Sequence, residues 1–232
     1  MSLINVLTVR IRREHELRYL DLASQLAKRA LEKKERFRWV AHQTLFGTRG
    51  PLFHFVSETA NYAGIAGRGM PTEMFERVLG AKAAIDWQRE ILICTQDQRN
   101  TLSVDRPDLS YPPERTAQTA HPFGLVTAVR VRSGGQDAVE ELLRKISEAI
   151  PKVDDPARIL AFQSVVGDLR DYWTVRPLRN LGDLDRQRMP ARLLTDAFGA
   201  GEGGLIYRNA MEAMERVERS IVRLLPELSN PE

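Results

Sequence analysis

Two histidines in a predicted β-hairpin are the residues best suited to acid–base chemistry. The hairpin turns at residues 47–51, and pairing Phe46 with Leu52 places His42 and His54 on one sheet face as diagonal neighbours. Diagonal neighbours lie about 7–8 Å apart, which is within side-chain reach. Because the imidazole pKa lies near neutral pH, either ring could serve as a general base. The sequence therefore predicts His42 and His54 as the catalytic candidates.

Polar side chains on the same kind of sheet face could hold a ligand. Arg10 and Arg130 occupy matching positions on two predicted strands, opposite to the apolar side chains of those strands. Alternation along a third strand places Tyr172 and Arg176 on the corresponding mixed face. Such a set would bind an anionic or carbonyl-bearing molecule, with the arginines holding an oxyanion. The alternative is that these groups satisfy one another or extend to the rim of the fold.

A second candidate site lies between the predicted sheets and helices. Trp39 and Trp173 could line an apolar pocket there, with further contributions from Asn5, Gln43, Trp87 and Gln163. Buried tryptophan and glutamine are equally typical of a core, where their polar tips find hydrogen-bond partners. Gln43 and Gln163 stand at equivalent strand positions, which favours a structural hydrogen bond for both.

The sequence contains no recognisable metal or cofactor motif. The four histidines lack metal-ligand spacing, and the single cysteine, Cys94, lies in an apolar run typical of a core. The glycine-rich segment 63–69 lacks the Lys-Ser/Thr of a phosphate-binding loop and is interpreted as a turn or lid. We therefore expect no metal and no cofactor.

The chain repeats itself. Five motifs occur twice, with the second copy 119 or 120 residues after the first: 8–12 with 128–132, 38–47 with 158–167, 70–71 with 189–190, 80–81 with 199–200, and 107–112 with 226–231. Because the copies keep the same order, the sequence predicts a tandem duplication. The expected organisation is repeat 1 over 1–110, a Pro-rich linker over 111–122 and repeat 2 over 123–232.

Each repeat has the element order βαββαβ of a ferredoxin-like unit. The predicted strands are 3–11, 37–46, 52–57, 124–132, 157–166 and 171–176. The predicted helices are 14–34, 83–100, 136–149 and 205–219, with a short last strand after the final helix of each repeat. One such unit leaves a sheet face uncovered. The predicted class is therefore α+β, with two tandem ferredoxin-like units packed sheet to sheet as a pseudo-dimeric α/β barrel.

Repeat 2 carries a resemblance to a known superfamily. Residues 129–143, VRVRSGGQDAVEELL, resemble the first strand, glycine turn and helix start of dimeric α/β-barrel proteins of the NIPSNAP and antibiotic-biosynthesis-monooxygenase-like branches. The Tyr-Trp-x-Val-x-Pro motif at 172–177 resembles their third strand. The resemblance implies monooxygenase, isomerase, haem-related or purely binding roles. Residues 123–230 contain no histidine, which removes the haem ligand that chlorite-dismutase-like relatives would need.

Charge and hydropathy exclude several classes of partner. The 232 residues carry a net charge of +3 without a concentrated basic patch, so no nucleic-acid partner is expected. No apolar run approaches the roughly 20 residues of a membrane span, and the N-terminus lacks signal-peptide features. We expect a cytoplasmic protein, either a monomeric pseudo-dimer or a homo-oligomer, with a small molecule as its partner.

The favoured function is a NIPSNAP-like small-ligand-binding or interaction protein. The alternative is a cofactor-independent monooxygenase or isomerase that acts on a small, partly apolar compound. When the two repeats are aligned, Phe162 is equivalent to His42 and Thr174 is equivalent to His54, so only repeat 1 has the histidines. Replacing both histidines separates the two functions, since an enzyme loses turnover with its fold intact.

Overall fold

The computed structural model describes residues 2–67, 71–112 and 121–231, which form two compact units. Unit 1 comprises Met1–Leu102 and Val222–Glu232, and unit 2 comprises Ser103–Ile221. Most of the predicted linker, residues 113–120, lies outside the described residues, as do residues 68–70.

Unit 1 combines strands with helices on one sheet face. Its elements are β1 (Leu3–Ile11), α1 (Glu16–Glu32), β2 (Val40–Phe46), β3 (Leu52–Thr59), α2 (Tyr62–Gly67), α3 (Pro71–Leu79), α4 (Ala81–Cys94) and the greater part of β4 (Thr95–Asp105). Strand β3 lies between β1 and β2 and is antiparallel to both. The apolar residues of α1 recur every three or four positions, so one stripe, including Tyr19 and Ala23, packs on Phe53 of the sheet.

Unit 2 has the same order of strands and main helices. Its elements are β5 (Phe123–Val131), α5 (Gln136–Lys152), β6 (Leu160–Val166), β7 (Asp171–Leu178), α6 (Asp183–Arg186), α7 (Pro190–Ala213) and the greater part of β8 (Met214–Leu224). Strand β7 lies between β5 and β6, again antiparallel to both. Helix α5 buries a stripe that includes Val139, Leu142 and Ile146 against this sheet.

Strands β4 and β8 each contribute residues to both units. The strand order is β4-β1-β3-β2-β8 in unit 1 and β8-β5-β7-β6-β4 in unit 2. The hydrogen-bonded order of all eight strands is therefore cyclic, which is the connectivity of a closed barrel. This confirms the prediction of an α+β fold with barrel connectivity.

The predicted ends of two helices are wrong. The helix predicted at 83–100 ends at Cys94, and the one predicted at 205–219 ends at Ala213. In place of short last strands, β4 and β8 are each 11 residues long. Their first halves are almost entirely exposed, so they lack the alternating apolar residues by which a strand is recognised in a sequence.

Several hydrogen bonds occur in both units. The Oγ of Ser229 accepts a hydrogen bond from the Ala41 amide at 2.9 Å, and the Oγ of Ser110 accepts one from the Ala161 amide at 3.0 Å. The side-chain carbonyl of Gln163 accepts from Arg106 at 2.7 Å, and that of Gln43 accepts from Arg223 at 2.8 Å. The prediction that both glutamines make structural hydrogen bonds is confirmed.

Replacing Ser229 with alanine should destabilise the protein by about 1–3 kcal/mol, because the buried Ala41 amide loses its partner. Ser110→Ala is the matched variant, and its half-buried site lets water replace the hydroxyl, so we expect a smaller loss. Urea unfolding followed by circular dichroism measures both. Equal losses would contradict the assignment of Ser229 as the more tightly buried partner.

Candidate functional site

His42 and His54 face each other directly across β2 and β3 in unit 1. The observed register places Gln43 opposite Phe53 and His42 opposite His54, so the predicted diagonal arrangement is wrong, although the shared face is correct. The hairpin turn contains Gly47 and Gly50, both with positive φ, at 95° and 75°. Glycine adopts these angles without steric cost, which permits a tighter turn than the one assumed from the sequence.

Both ring nitrogen atoms of His54 are engaged by threonine hydroxyls. Nδ1 lies 3.0 Å from Oγ1 of Thr8, and Nε2 lies 2.9 Å from Oγ1 of Thr44. Burial lowers the pKa of His54 to about 4, and burial together with the neighbouring His54 lowers the pKa of His42 to about 4. Both rings are therefore neutral at pH 7 and weakly basic, which suits a structural role for His54.

Unit 2 has an aromatic stack at the corresponding place. Phe162 pairs with Trp173, and their rings stack at a centroid distance of 3.9 Å and an interplanar angle of 13°. The Nε1 of Trp173 donates to Oγ of Ser103 at 3.0 Å. Trp173, and not Thr174, thus occupies the position of His54, because the β6–β7 register differs from the predicted one.

The same register change moves Tyr172 and Arg176 to the other face of the sheet. Tyr172 lies opposite Gln163, whereas the prediction grouped it with Phe162. A register change of one residue exchanges the two faces of a strand. Tyr172 therefore packs in the core under the helices, where its hydroxyl donates to Glu140 of α5 at 2.7 Å. The predicted mixed face does not contain Tyr172 or Arg176.

Arg10 and Arg130 are each paired with a carboxylate of their own unit. Nε of Arg10 lies 3.3 Å from Asp97, and Nε of Arg130 lies 2.9 Å from Asp171. Both pairs are partly exposed. These contacts give both arginines a structural partner of the kind that the alternative interpretation expects.

The tryptophans of unit 1 belong to the core. The Nε1 of buried Trp39 donates to the carbonyl of Leu228 at 2.7 Å, and that of Trp87 donates to the carbonyl of Leu22 at 3.0 Å. Trp39 packs in a cluster with residues of α1 and α3. Because both N–H groups are satisfied within the chain, the core interpretation of these residues accounts for their contacts.

A cavity of about 100 Å³ lies in unit 2 between the sheet and its helices. Its walls are mostly aliphatic and aromatic, with two threonines and two arginines among the lining side chains. The residues that matter below are Thr127, Val139, Tyr172, Thr174, Arg176 and Arg219. The mouth is marked by exposed side chains such as Met189, and the space is partly open to solvent.

The cavity follows from two differences between the repeats. At the positions 120 and 119 residues before Val139 and Thr174, unit 1 has Tyr19 and Phe55. There the Tyr19 and Phe53 rings pack at 5.3 Å, and Phe55 joins the same core. Two large rings in unit 1 thus correspond to a valine and a threonine in unit 2, which leaves space beside α5.

Arg176 is a buried cation on the cavity wall. The residue is 7% exposed, and its Nη1 donates to the carbonyl of Arg188 at 3.3 Å. No carboxylate of the described residues lies within ion-pair distance of its guanidinium. Burial lowers the pKa of Arg176, the charge of Asp155 opposes this, and the charge of Arg219 adds to it.

The sequence predicts Arg176 as a binding residue but places it on the wrong face. It also predicts a pocket between sheet and helices with Trp173 in its lining, and Trp173 does line this cavity, but the residues that leave the space were not recognised. The signal that could have found the cavity is the exchange of Tyr19 for Val139 when the repeats are aligned. The side chain of Tyr172, which lines the cavity, is held in place by its hydrogen bond to Glu140. Glu140 is itself fixed, because it also accepts two hydrogen bonds from Arg106, at 2.8 and 2.9 Å.

Within residues 2–67, 71–112 and 121–231, no group of three or more His, Cys, Asp or Glu side chains could hold a metal ion. Cys94 is fully buried, and burial raises the pKa of its thiol, as expected of a core cysteine. The described part of the glycine-rich segment is the helix α2, so the turn expected there is wrong. Among the described residues, no helix is long and apolar enough to cross a membrane.

Comparisons with solved structures show the fold. A protein of Fusobacterium nucleatum provisionally named a monooxygenase matches with a TM-score of 0.59 and 8% identity, covering 97% of this chain and 92% of that one. An anthrone oxidase-like protein matches at 0.59 and 11%, covering 100% and 94%. Chlorite dismutase of Candidatus Nitrospira defluvii matches at 0.56 and 10%, covering 97% and 92%. The chain shares their fold.

At this level of identity the similarity concerns the fold alone. No protein-family model matches the sequence, and neither does any curated protein. These solved structures support the α+β fold with a cyclic order of eight strands that the structure shows.

Proposed function

We propose that this protein binds a small, largely apolar molecule in the cavity of unit 2. The observation that carries the proposal is the space left where Val139 and Thr174 stand in place of Tyr19 and Phe55. Ligand sites are typically concave and apolar, with a few polar groups that fix orientation. Thr127, Thr174 and Arg176 provide such groups among aliphatic walls.

We propose tandem duplication as the origin of the chain, with repeats over 1–110 and 123–232 joined by 111–122. The hydrogen bonds that recur at Ser110 and Ser229 support it, because both partners of each bond stand at equivalent positions of the two repeats. The NIPSNAP-like affiliation, the cytoplasmic location, the lack of a nucleic-acid or membrane partner and the state of monomeric pseudo-dimer or homo-oligomer remain predictions from the sequence.

A monooxygenase or isomerase that needs no cofactor is the second candidate. The fold similarity to proteins provisionally named monooxygenases supports it. In that case His42 is the better general base, because the described residues give its ring no hydrogen bond, whereas both nitrogen atoms of His54 are engaged. Its pKa of about 4 makes it a weak base at neutral pH.

Filling the cavity with Thr174→Phe should weaken binding of a neutral apolar probe, benzyl alcohol, by at least tenfold. The ring would take the place that Phe55 has in unit 1, so the probe loses its space while the fold is kept. Isothermal titration calorimetry measures the affinity. Thr72→Phe, at an exposed position on α3, is the control and should bind as the original protein does. Unchanged binding in Thr174→Phe would place the ligand elsewhere.

A further inference from the structure

We infer that the ligand of the unit 2 cavity is a small apolar monocarboxylate whose carboxylate binds the guanidinium of Arg176. The inference rests on the proposed function and specifies the chemical class of its ligand. It goes beyond a general apolar pocket, because it assigns one charged group of the ligand to one side chain.

The hydrogen-bonding state of Arg176 is the first argument. A guanidinium has five N–H donors, and the described residues provide one acceptor, the Arg188 carbonyl at 3.3 Å. The carboxylate of nearby Asp155 is occupied by the amides of Ala157 and Arg188, at 2.9 and 2.8 Å. A buried charge is costly unless it is paired and hydrogen-bonded, so Arg176 lacks a partner that a ligand can supply.

The electrostatic character of the cavity is the second argument. Among its lining residues the only charged side chains are Arg176 and Arg219. Arg176 is buried in the wall, whereas Arg219 is exposed on β8. An anion would therefore meet positive charge at entry and again at the binding position, and no lining carboxylate would repel it.

Carboxylate is the anion that fits this arrangement. The planar guanidinium matches a carboxylate in a bidentate geometry that an ammonium cannot offer. Of the two lining arginines only Arg176 is buried, so the cavity suits a ligand with a single negative charge. The hydroxyls of Thr127 and Thr174 stand opposite each other on β5 and β7 and line the same space.

The remaining walls define the rest of the ligand. They are largely apolar and include the aliphatic residues Leu125, Val129, Val139, Leu142, Leu143 and Ile146. These six side chains offer no hydrogen bonds, so the part of the ligand that lies against them is apolar. An enclosed cavity of about 150 Å³ accepts benzene, so the roughly 100 Å³ here holds an apolar body of about four to six non-hydrogen atoms, the largest of which reach into the open side. The hydrocarbon parts of butyrate, isovalerate and benzoate test the range around this size.

The test compares each of these three acids with its neutral amide: butyramide, isovaleramide and benzamide. Calorimetric titration at pH 7.5 and low salt should show that at least one acid binds about 10- to 100-fold more tightly than its amide. In Arg176→Met, which keeps the apolar volume of the side chain, that preference should disappear while the amide affinity is retained. Retained amide binding also shows that the variant is folded.

Two further variants sharpen the result. Arg176→Lys keeps the charge but not the bidentate geometry, so it should keep only part of the preference for acid over amide. This variant replaces Arg176→Met in the test if the methionine variant does not fold. Arg130→Met is the matched control, because Arg130 is paired with Asp171 on a different face of the sheet, and it should leave the preference unchanged.

Equal binding of acids and amides by the original protein would overturn the carboxylate assignment and leave the proposed function in place. A preference that survives in Arg176→Met would overturn the assignment to Arg176. If neither acids nor amides bind, and benzyl alcohol also fails to bind, the proposed function fails together with the inference.

Discussion

Lowering the pH from 6.5 to 4 should destabilise this protein through His42 and His54, by as much as about 3 kcal/mol per ring. The pKa of each ring falls from 6.5 to about 4 on folding, and each pKa unit corresponds to about 1.36 kcal/mol. Above pH 6.5 both states are neutral and the rings have no effect. Between pH 6.5 and 4 the unfolded chain binds protons that the folded chain does not, so the free energy of unfolding decreases. Below pH 4 the loss is complete.

The measurement is urea unfolding at a series of pH values, compared with the double variant His42→Gln/His54→Gln. Glutamine does not titrate, and its amide can bond to Thr8 and Thr44 in place of the ring. Carboxylates titrate equally in both proteins, so the difference between the two curves isolates the histidines. Parallel curves between pH 6.5 and 4 would show that the rings are hydrated in the folded protein and that burial does not set their pKa.

Asp155→Ala should destabilise the protein by about 3–5 kcal/mol. The Asp155 side chain is fully buried and accepts hydrogen bonds from two backbone amides and from Nη1 of Arg188 at 3.4 Å. Its negative charge also raises the pKa of Arg176 and so favours the charged form of that guanidinium. Its removal leaves these donors unsatisfied and leaves the guanidinium of Arg188 without its buried carboxylate partner, which is the costly way to break a buried ion pair.

Asp196→Ala is the matched control for this prediction. Asp196 pairs with the same arginine, Arg188, at 3.0 Å, but its side chain is 36% exposed. Exposed ion pairs contribute little, so we expect a loss below about 1 kcal/mol. Denaturant midpoints of the two variants decide the question. Similar small losses for both would mean that water reaches the donors around Asp155.

The sequence predicts the elements that have a clear apolar period. Helices α1 and α5 and strands β1 and β5 are found close to their predicted limits, because one face of each is buried. The shared face of His42 and His54 also follows from strand alternation alone. The first halves of β4 and β8 are not predictable in this way, since neither face of them is buried.

The candidate site depends on information that alternation does not contain. One residue of register decides whether Tyr172 and Arg176 lie on the open or the helix-covered face, and the turn around Gly167, with its φ of 102°, sets that register. The cavity depends on side-chain volumes at Val139 and Thr174 relative to their counterparts in unit 1. Such differences of volume matter only once the three-dimensional neighbours are known.

Strands β4 and β8 each contribute residues to both units, and this affects the order in which the two units are completed during synthesis. Unit 1 needs residues 222–231, where Ser229 and Asn230 bond to Ala41 and Trp39, although most of it is made first. Unit 2 has all its residues once Ile221 has been translated. Contacts between residues nearly 190 positions apart form late, because the loop that joins them must close. On the ribosome, the half that is translated second is therefore the first that can finish folding.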